Sequence, residues 1–484
     1  MIRNCAIPAA LGALLSIGPA AAVSLNPKGL GQALIYPYYT VNNHQDTLLS
    51  VINTGNTGKA LKVRFLEGYN GRPALDFLVF LAPLDTWVAA VSAVDPADPT
   101  SGAKLVTNDN SCIDGSNKEK TFVTYGFDGQ SPGFPADGGP QDIARVREGY
   151  FEIVTLGDVD PASDTSEIIS PSYQSGQILP PDCSRLNVDA ALADLIPPND
   201  GLMGSAMIVN AGDGIFYSYN ASALTGFTDR VLMPPEDTLA QANSAASRRH
   251  GAVATISTND GSPLTLDYDR GIDAVSAALM ADTLYNEFLT ASSMGANTDW
   301  VVTFPTKAFY VDKQTYPSST TAPFFEPFTD GRSRATTSAT QYDRKSQSSP
   351  EACEAVPGPS CLAFRPFFEH QVNVVGFLPN PDARAPSGVL GSHLTAHVEP
   401  FWEEGWMRVD LATHDGGHAL SGGRTLDGAN VQLNGLPVVG FMAYNVINTQ
   451  AQPGKLSNYS GTFEHRSTID FSETAAPAQK QTAR

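Results

Sequence analysis

Residues 48–68, LLSVINTGNTGKALKVRFLEG, decide the fold class. The stretch opens apolar and β-branched, then runs into Asn53-Thr54-Gly55-Asn56-Thr57-Gly58. Gly tolerates positive φ and Asn bonds its own backbone, so these six residues turn the chain. Beyond them Leu61, Val63 and Phe65 alternate with Lys62 and Arg64, the period of a strand with one face in the core and one in water. The flanking sequence repeats the theme in ALIYPYYTV (33–41), LDFLVFLAP (75–83), TWVAAVSA (86–93) and EGYFEIVTLGD (148–158). The runs at 75–83 and 86–93 read as a strand pair around Leu84-Asp85. Short strands separated by Gly, Asn and Pro turns predict a β-sandwich over 23–158.

Further along, GLMGSAMIVNAGDGIFYSYNASAL (201–224) reads as a hairpin with its tip at 210–214. Two helices are expected nearby. One covers 236–248, after Pro234-Pro235; the other covers 273–292, with Asp273 as cap and Val275, Leu279, Leu284 and Phe288 near helical spacing. TDWVVTFPTKAFYVD (298–312) returns to strand. The expected architecture is mainly β: two Ig-like or jelly-roll β-sandwich units with a mixed middle segment carrying one or two helices. The segments are a signal peptide (1–22), an N-terminal sandwich (23–158), a mixed middle (159–313), a Ser/Thr/Pro-rich loop or linker (314–350), a C-terminal β unit (351–466) and a mobile tail (467–484).

Composition narrows the function classes. The 484 residues carry 30 Lys+Arg against 50 Asp+Glu, a net charge of −20. An acidic chain with scattered cations is a poor partner for nucleic acid or an anionic membrane surface. At 42 % hydrophobic it can still bury a core. MIRNCAIPAALGALLSIGPAAA (1–22) has one cation, a short apolar run broken by Gly18-Pro19, and a small-x-small end at Ala20–Ala22. That is the order of an export signal cleaved near Val23, and the run is too short to span a bilayer. Export places the other four cysteines in an oxidising compartment, where the expected pairs are Cys112–Cys183 and Cys353–Cys361.

The motifs ALIYPYYTV (33–41), LLSVINTGNTGKALKVRFLEG (48–68), LDFLVFLAPLDTWVAAV (75–91), TDWVVTFPTK (298–307) and GLPVVGFMAYNV (435–446) resemble a group of uncharacterised secreted proteins from Gram-negative bacteria. The resemblance implies export to the periplasm, cell surface or medium and a β-rich architecture. These are strand motifs, so no site residue comes with it.

Three constellations could carry chemistry. His393, His397 and Glu399 fall on one short segment, and His414 and His418 flank a glycine turn near His370; imidazole and carboxylate at such spacing suit Zn2+. The H-E-x-x-H arrangement is absent because Leu394 stands at its second position. Trp402, Glu403, Glu404 and Trp406 combine carboxylates with ring faces, which suits sugars. Asp158, Asp160 and Asp164, and Asp109 and Asp114 around Cys112, offer oxygen ligands for a structural Ca2+. No G-x-S-x-G elbow, phosphate loop or dinucleotide fingerprint occurs. The sequence therefore favours an exported, non-enzymatic cell-surface, matrix or assembly protein, partnered with itself or other surface proteins through strand edges. The alternatives are a carbohydrate-binding or carbohydrate-active protein and a metal-dependent hydrolase around 370–418.

Overall fold

The computed structural model describes residues 22–115, 117–234, 238–317, 320–349, 367–378, 385–412, 417–448 and 457–474. Residues 1–21, and Cys353, Cys361 and His414, lie outside that set. The chain is mainly β and sandwich-like, built from several antiparallel sheets. An eight-stranded sheet holds Ala33–Thr40, Glu148–Val159, Gly58–Glu67 and Pro73–Leu81 side by side. A six-stranded sheet runs Ile215–Asn220, Leu202–Asn210, Asp46–Asn53, Thr86–Ala93, Ala103–Val106, Glu119–Thr121.

The turn at 54–57 does not close a hairpin. Asp46–Asn53 and Gly58–Glu67 lie in different sheets, and so do Pro73–Leu81 and Thr86–Ala93. The expected strand pair around Leu84 is instead two arches side by side: the first strand of one pairs with the last of the other. The side-chain pattern cannot separate a hairpin from an arch, because both present alternating faces to one core. That core lies between the sheets, where Phe77 meets Trp87 edge-on at 5.8 Å and the Tyr36 hydroxyl donates to the Ser50 carbonyl at 2.7 Å. Phe65 stacks on Phe151 at 4.7 Å along the same face.

The second face of the eight-stranded sheet is also covered, so Lys62 and Arg64 do not face water as expected. Lys62 pairs with Asp76 at 3.1 Å, and Arg64 lies 3.9 Å from Glu152. Both cations line a cavity of about 500 Å³ walled by Phe134 and Tyr316, and charge pairing offsets their loss of water. Nearby, Arg145 is fully buried between Glu67 and Asp137, at 2.7 and 2.6 Å.

In the C-terminal half, a five-stranded sheet runs Thr395–Val398, Val372–Phe377, Ala296–Thr303, Val439–Val446, Tyr459–Glu464. It packs on a four-stranded sheet of Ser338–Tyr342, Glu404–Asp410, Thr283–Leu289 and Arg466–Thr468. The Trp300 indole donates to the Glu287 carbonyl at 2.9 Å, and Phe288 stacks on Phe377 at 5.1 Å across that interface. A further five-stranded sheet ends in Asp470–Thr474.

Four segments differ from expectation. Within 236–248 the described residues hold only a short 3-10 turn, Leu239–Gln241. The Asn243 amide donates to Asp229 and its backbone N–H to Phe227, bonds to a remote segment that a helix there would forgo. Within 273–292 the helix is Gly271–Ala278, and strand Thr283–Leu289 follows. Leu284 and Phe288, four apart, suit one face of a strand as well as a helix. The stretch 314–350 and the tail both contribute strands, Ser338–Tyr342, Arg466–Thr468 and Asp470–Thr474, to the C-terminal sheets.

Candidate functional site

Trp406 sits on the outer face of the four-stranded sheet. Parity puts it there: Met407 and Val409 are buried, so Trp406 and Arg408 face out. In register, Tyr342 and Glu287 flank it on the neighbouring strands. Tyr342 stacks on the indole at 4.0 Å with the planes 9° apart, and Tyr285 lies 6.3 Å away. The indole is still 38 % exposed. Gly405 allows this arrangement: a Cβ there would stand 2.0 Å from the Tyr342 carbonyl oxygen, so only glycine lets the two strands approach closely.

A cleft of about 460 Å³ opens beside this ring pair. Its far wall is Tyr444 and Phe463, stacked at 6.1 Å and 8°, with Phe463 53 % exposed. Phe288, Leu289, Thr298 and Met442 also line it. Three carboxylates surround the cleft. Glu404 is held by Arg344 at 2.9 Å. Asp343 uses one oxygen to accept the Lys345 and Gln347 N–H groups, both at 2.8 Å, which fixes the turn carrying Arg344. Glu287 is exposed, and no described residue bonds its carboxylate. The arrangement offers flat apolar ring faces with hydrogen-bond acceptors at their edges, which suits a molecule with apolar C–H faces and hydroxyl edges.

Of the expected sugar-binding group, Glu404 and Trp406 line the cleft and Trp402 and Glu403 do not. The strand starts at Glu404, so Trp402 lies in the bend before it, against Phe401 at 5.7 Å. The Glu403 side chain is exposed, and its carbonyl accepts the Thr290 N–H at 2.6 Å. Tyr342, Glu287, Tyr444 and Phe463 come from remote strands, and no local motif marks them.

The histidines are dispersed. His393 is exposed and its backbone N–H donates to Glu148. His397 lies in Thr395–Val398, with Glu399 just beyond the strand. His418 is buried, its two ring nitrogens 2.8 and 3.0 Å from the carbonyl oxygens of Pro323 and Thr336. Among the described residues, no three His, Cys, Asp or Glu side chains come together to hold a metal ion. Burial holds the His370 imidazole down at about 3, with the Lys307, Arg145 and Arg332 charges adding to the effect.

The expected calcium ligands are largely engaged. Asp158 is buried against Lys59 at 2.6 Å and also accepts from Thr57 and Asn199. Asp109 caps the turn at Ser111, Asp160 the turn at Ala162, and Asp164 opens the helix Asp164–Ile169. Cys112 and Cys183 form a disulfide, as expected. Among the described residues, no helix is long and apolar enough to cross a membrane. No family model matches the chain, and neither a curated protein nor a solved structure matches it.

Proposed function

We propose that this is an exported, non-enzymatic protein that binds carbohydrate in the Trp406 cleft. One observation carries the reading. Trp406, with Tyr342 stacked on it, and the Tyr444–Phe463 pair line a single cleft edged by Glu287 and Glu404. Ring faces take the C–H side of a pyranose, and carboxylates accept from its hydroxyls. Trp406, Tyr342 and Glu287 stand on strands rather than loops, which supports binding without rearrangement.

The non-enzymatic part rests on the chemistry around the cleft. Glu404 is committed to Arg344, and the sequence offers no nucleophile motif. Export rests on residues 1–22 and on the Cys112–Cys183 disulfide, a bond at home outside the cytosol. The test is intrinsic fluorescence during titration with neutral, amino and acidic oligosaccharides. The expected result is a saturable change in emission with at least one class, absent in Trp406→Ala. Unmoved emission with every class, together with a silent glycan array, overturns the reading.

A further inference from the structure

The charges around the Trp406 cleft do not cancel. Glu287, Asp343 and Glu404 line it, and among its described lining residues Arg344 is the one cation. Arg344 is committed to Glu404 at 2.9 Å. Asp343 accepts two backbone N–H groups through one oxygen, bonds that hold its turn without supplying a positive charge. No described residue bonds the Glu287 carboxylate, which is exposed. Arg408, the next outward residue on the Trp406 strand, lies outside the cleft lining and 3.7 Å from Asp410. Two carboxylates therefore face the cleft without a counter-charge among the residues that line it. A neutral sugar needs only acceptors at its edge, and amide or hydroxyl oxygens supply those as well as carboxylates do.

Strand order fixes where this charge falls. The Trp406 strand lies between the strand of Tyr342 and the strand of Glu287. Tyr342 stacks on the indole at 4.0 Å and covers it from one side. The other side turns toward the neighbouring strand, where Glu287 is the direct partner of Trp406 in register. Partners across an antiparallel pair stand about 4.5–5.5 Å apart, close to the width of one sugar ring. A ring seated on the open side of the indole thus carries its substituents over the Glu287 carboxylate.

We infer that the cleft takes an amino sugar whose amine is unacetylated, with the ammonium on Glu287. This rests on the carbohydrate reading above and specifies its ligand. A protonated amine donates to the carboxylate in a charge-assisted bond, about twice as strong as a neutral one. The ring faces of Trp406 and Phe463 attract a cation as well as C–H groups. Acidic sugars are selected against, because they set an anion beside two carboxylates in a chain that carries −20. N-acetylation replaces the ammonium by a neutral amide and forfeits the gain.

Tryptophan emission of the full exported protein, titrated at pH 6 with three tetramers of one linkage, tests this. The three are glucosamine, N-acetylglucosamine and glucose. The glucosamine tetramer should bind about tenfold tighter than the glucose tetramer, and the ratio should shrink in 1 M salt, where charges are screened beyond about 3 Å. Glu287→Gln should bring the ratio close to one. Glu473→Gln, the same change at an exposed position on another sheet, should leave it within about twofold. Using a ratio within each protein removes any general loss of binding. Equal or tighter binding of the glucose or N-acetylated tetramer overturns the inference and leaves the carbohydrate reading standing. So does a ratio that survives Glu287→Gln, or one that falls equally in both variants, which marks attraction to the acidic surface as a whole. Emission unmoved by all three tetramers overturns the inference, and a glycan array silent as well takes the carbohydrate reading with it.

Discussion

Replacing Arg145 by Met tests how the N-terminal half tolerates its buried charges. The guanidinium is fully buried and donates to Glu67 at 2.7 Å, to both Asp137 oxygens at 2.9 and 2.6 Å, and to the Pro140 carbonyl at 3.0 Å. Its plane also lies over the Phe127 ring at 4.2 Å. Removing it leaves two buried carboxylates without their cation. Glu67 keeps the backbone N–H groups of Tyr69, Asn70 and Arg72, and Asp137 keeps the Gly139 N–H and the Asn70 amide. Those bonds soften the loss but do not neutralise the charges. Breaking a buried ion pair from one side costs about 3–5 kcal/mol. With a urea slope of about 3 kcal/mol/M, the midpoint should fall by roughly 1–1.7 M.

The pH dependence carries the sharper prediction. Burial works to raise the Asp137 carboxyl, yet the Arg145 bonds and charge, with Gly139 and Asn70, hold it below the ordinary carboxylate value. A depressed carboxyl adds stability that is present above the unfolded value near 4 and lost as the pH falls through the folded value. In Arg145→Met the burial of Asp137 is opposed only by the Gly139 and Asn70 bonds, and protonation then relieves the site. The deficit at pH 7 should therefore shrink as the pH approaches 4. Urea titrations of both proteins at pH 7, 5.5 and 4 measure it. A loss below about 1 kcal/mol, or a deficit unchanged across that range, refutes the reasoning. The triple variant Arg145→Met with Glu67→Gln and Asp137→Asn should recover most of the stability, because it leaves no unpaired charge.

Opening the Cys112–Cys183 bond, which closes a separation of 71 residues, should cost about 4 kcal/mol, read as the difference in denaturation with and without reductant. Protonating buried His370 is unfavourable, so the unfolded chain takes up that proton first and stability should fall as pH drops from about 6.5 toward 3. His370→Gln should remove up to about 1.4 kcal/mol per pH unit from that acid limb, and an unaltered limb would count against its burial as a neutral ring. Gly405→Ala drives a methyl group against the Tyr342 carbonyl, so it should unstack Tyr342 from Trp406, shift the near-UV circular dichroism and weaken oligosaccharide binding.

The strands of the N-terminal half were legible in sequence because alternation and turn chemistry agreed there. ALIYPYYTV and EGYFEIVTLGD fall on Ala33–Thr40 and Glu148–Val159 to within a residue or so. What alternation cannot encode is the partner: Asn53–Gly58 turns the chain equally well within one sheet or between two. It also cannot say whether Lys62 and Arg64 meet water or carboxylates, since Asp76 and Glu152 lie on other strands. The 273–292 helix was overextended because Leu284 and Phe288 satisfy both periods. Two of the cleft's lining residues, Glu404 and Trp406, are visible in sequence through local clustering of carboxylate and indole. Tyr342, Tyr444 and Phe463 were hidden, since a residue 64 positions from Trp406 or on the last strands of the chain becomes its neighbour only through sheet register. Trp402 falls outside the cleft because it lies before the strand begins at Glu404, so closeness in sequence to Trp406 does not place it on the same face.

The most direct test of the account is a glycan array probed with the exported protein and with Trp406→Ala side by side. The account predicts a defined set of bound glycans for the native protein and a loss of about 2 kcal/mol, roughly 30-fold, on removing the indole. Equal binding by both proteins, or no glycan bound by either, would contradict it.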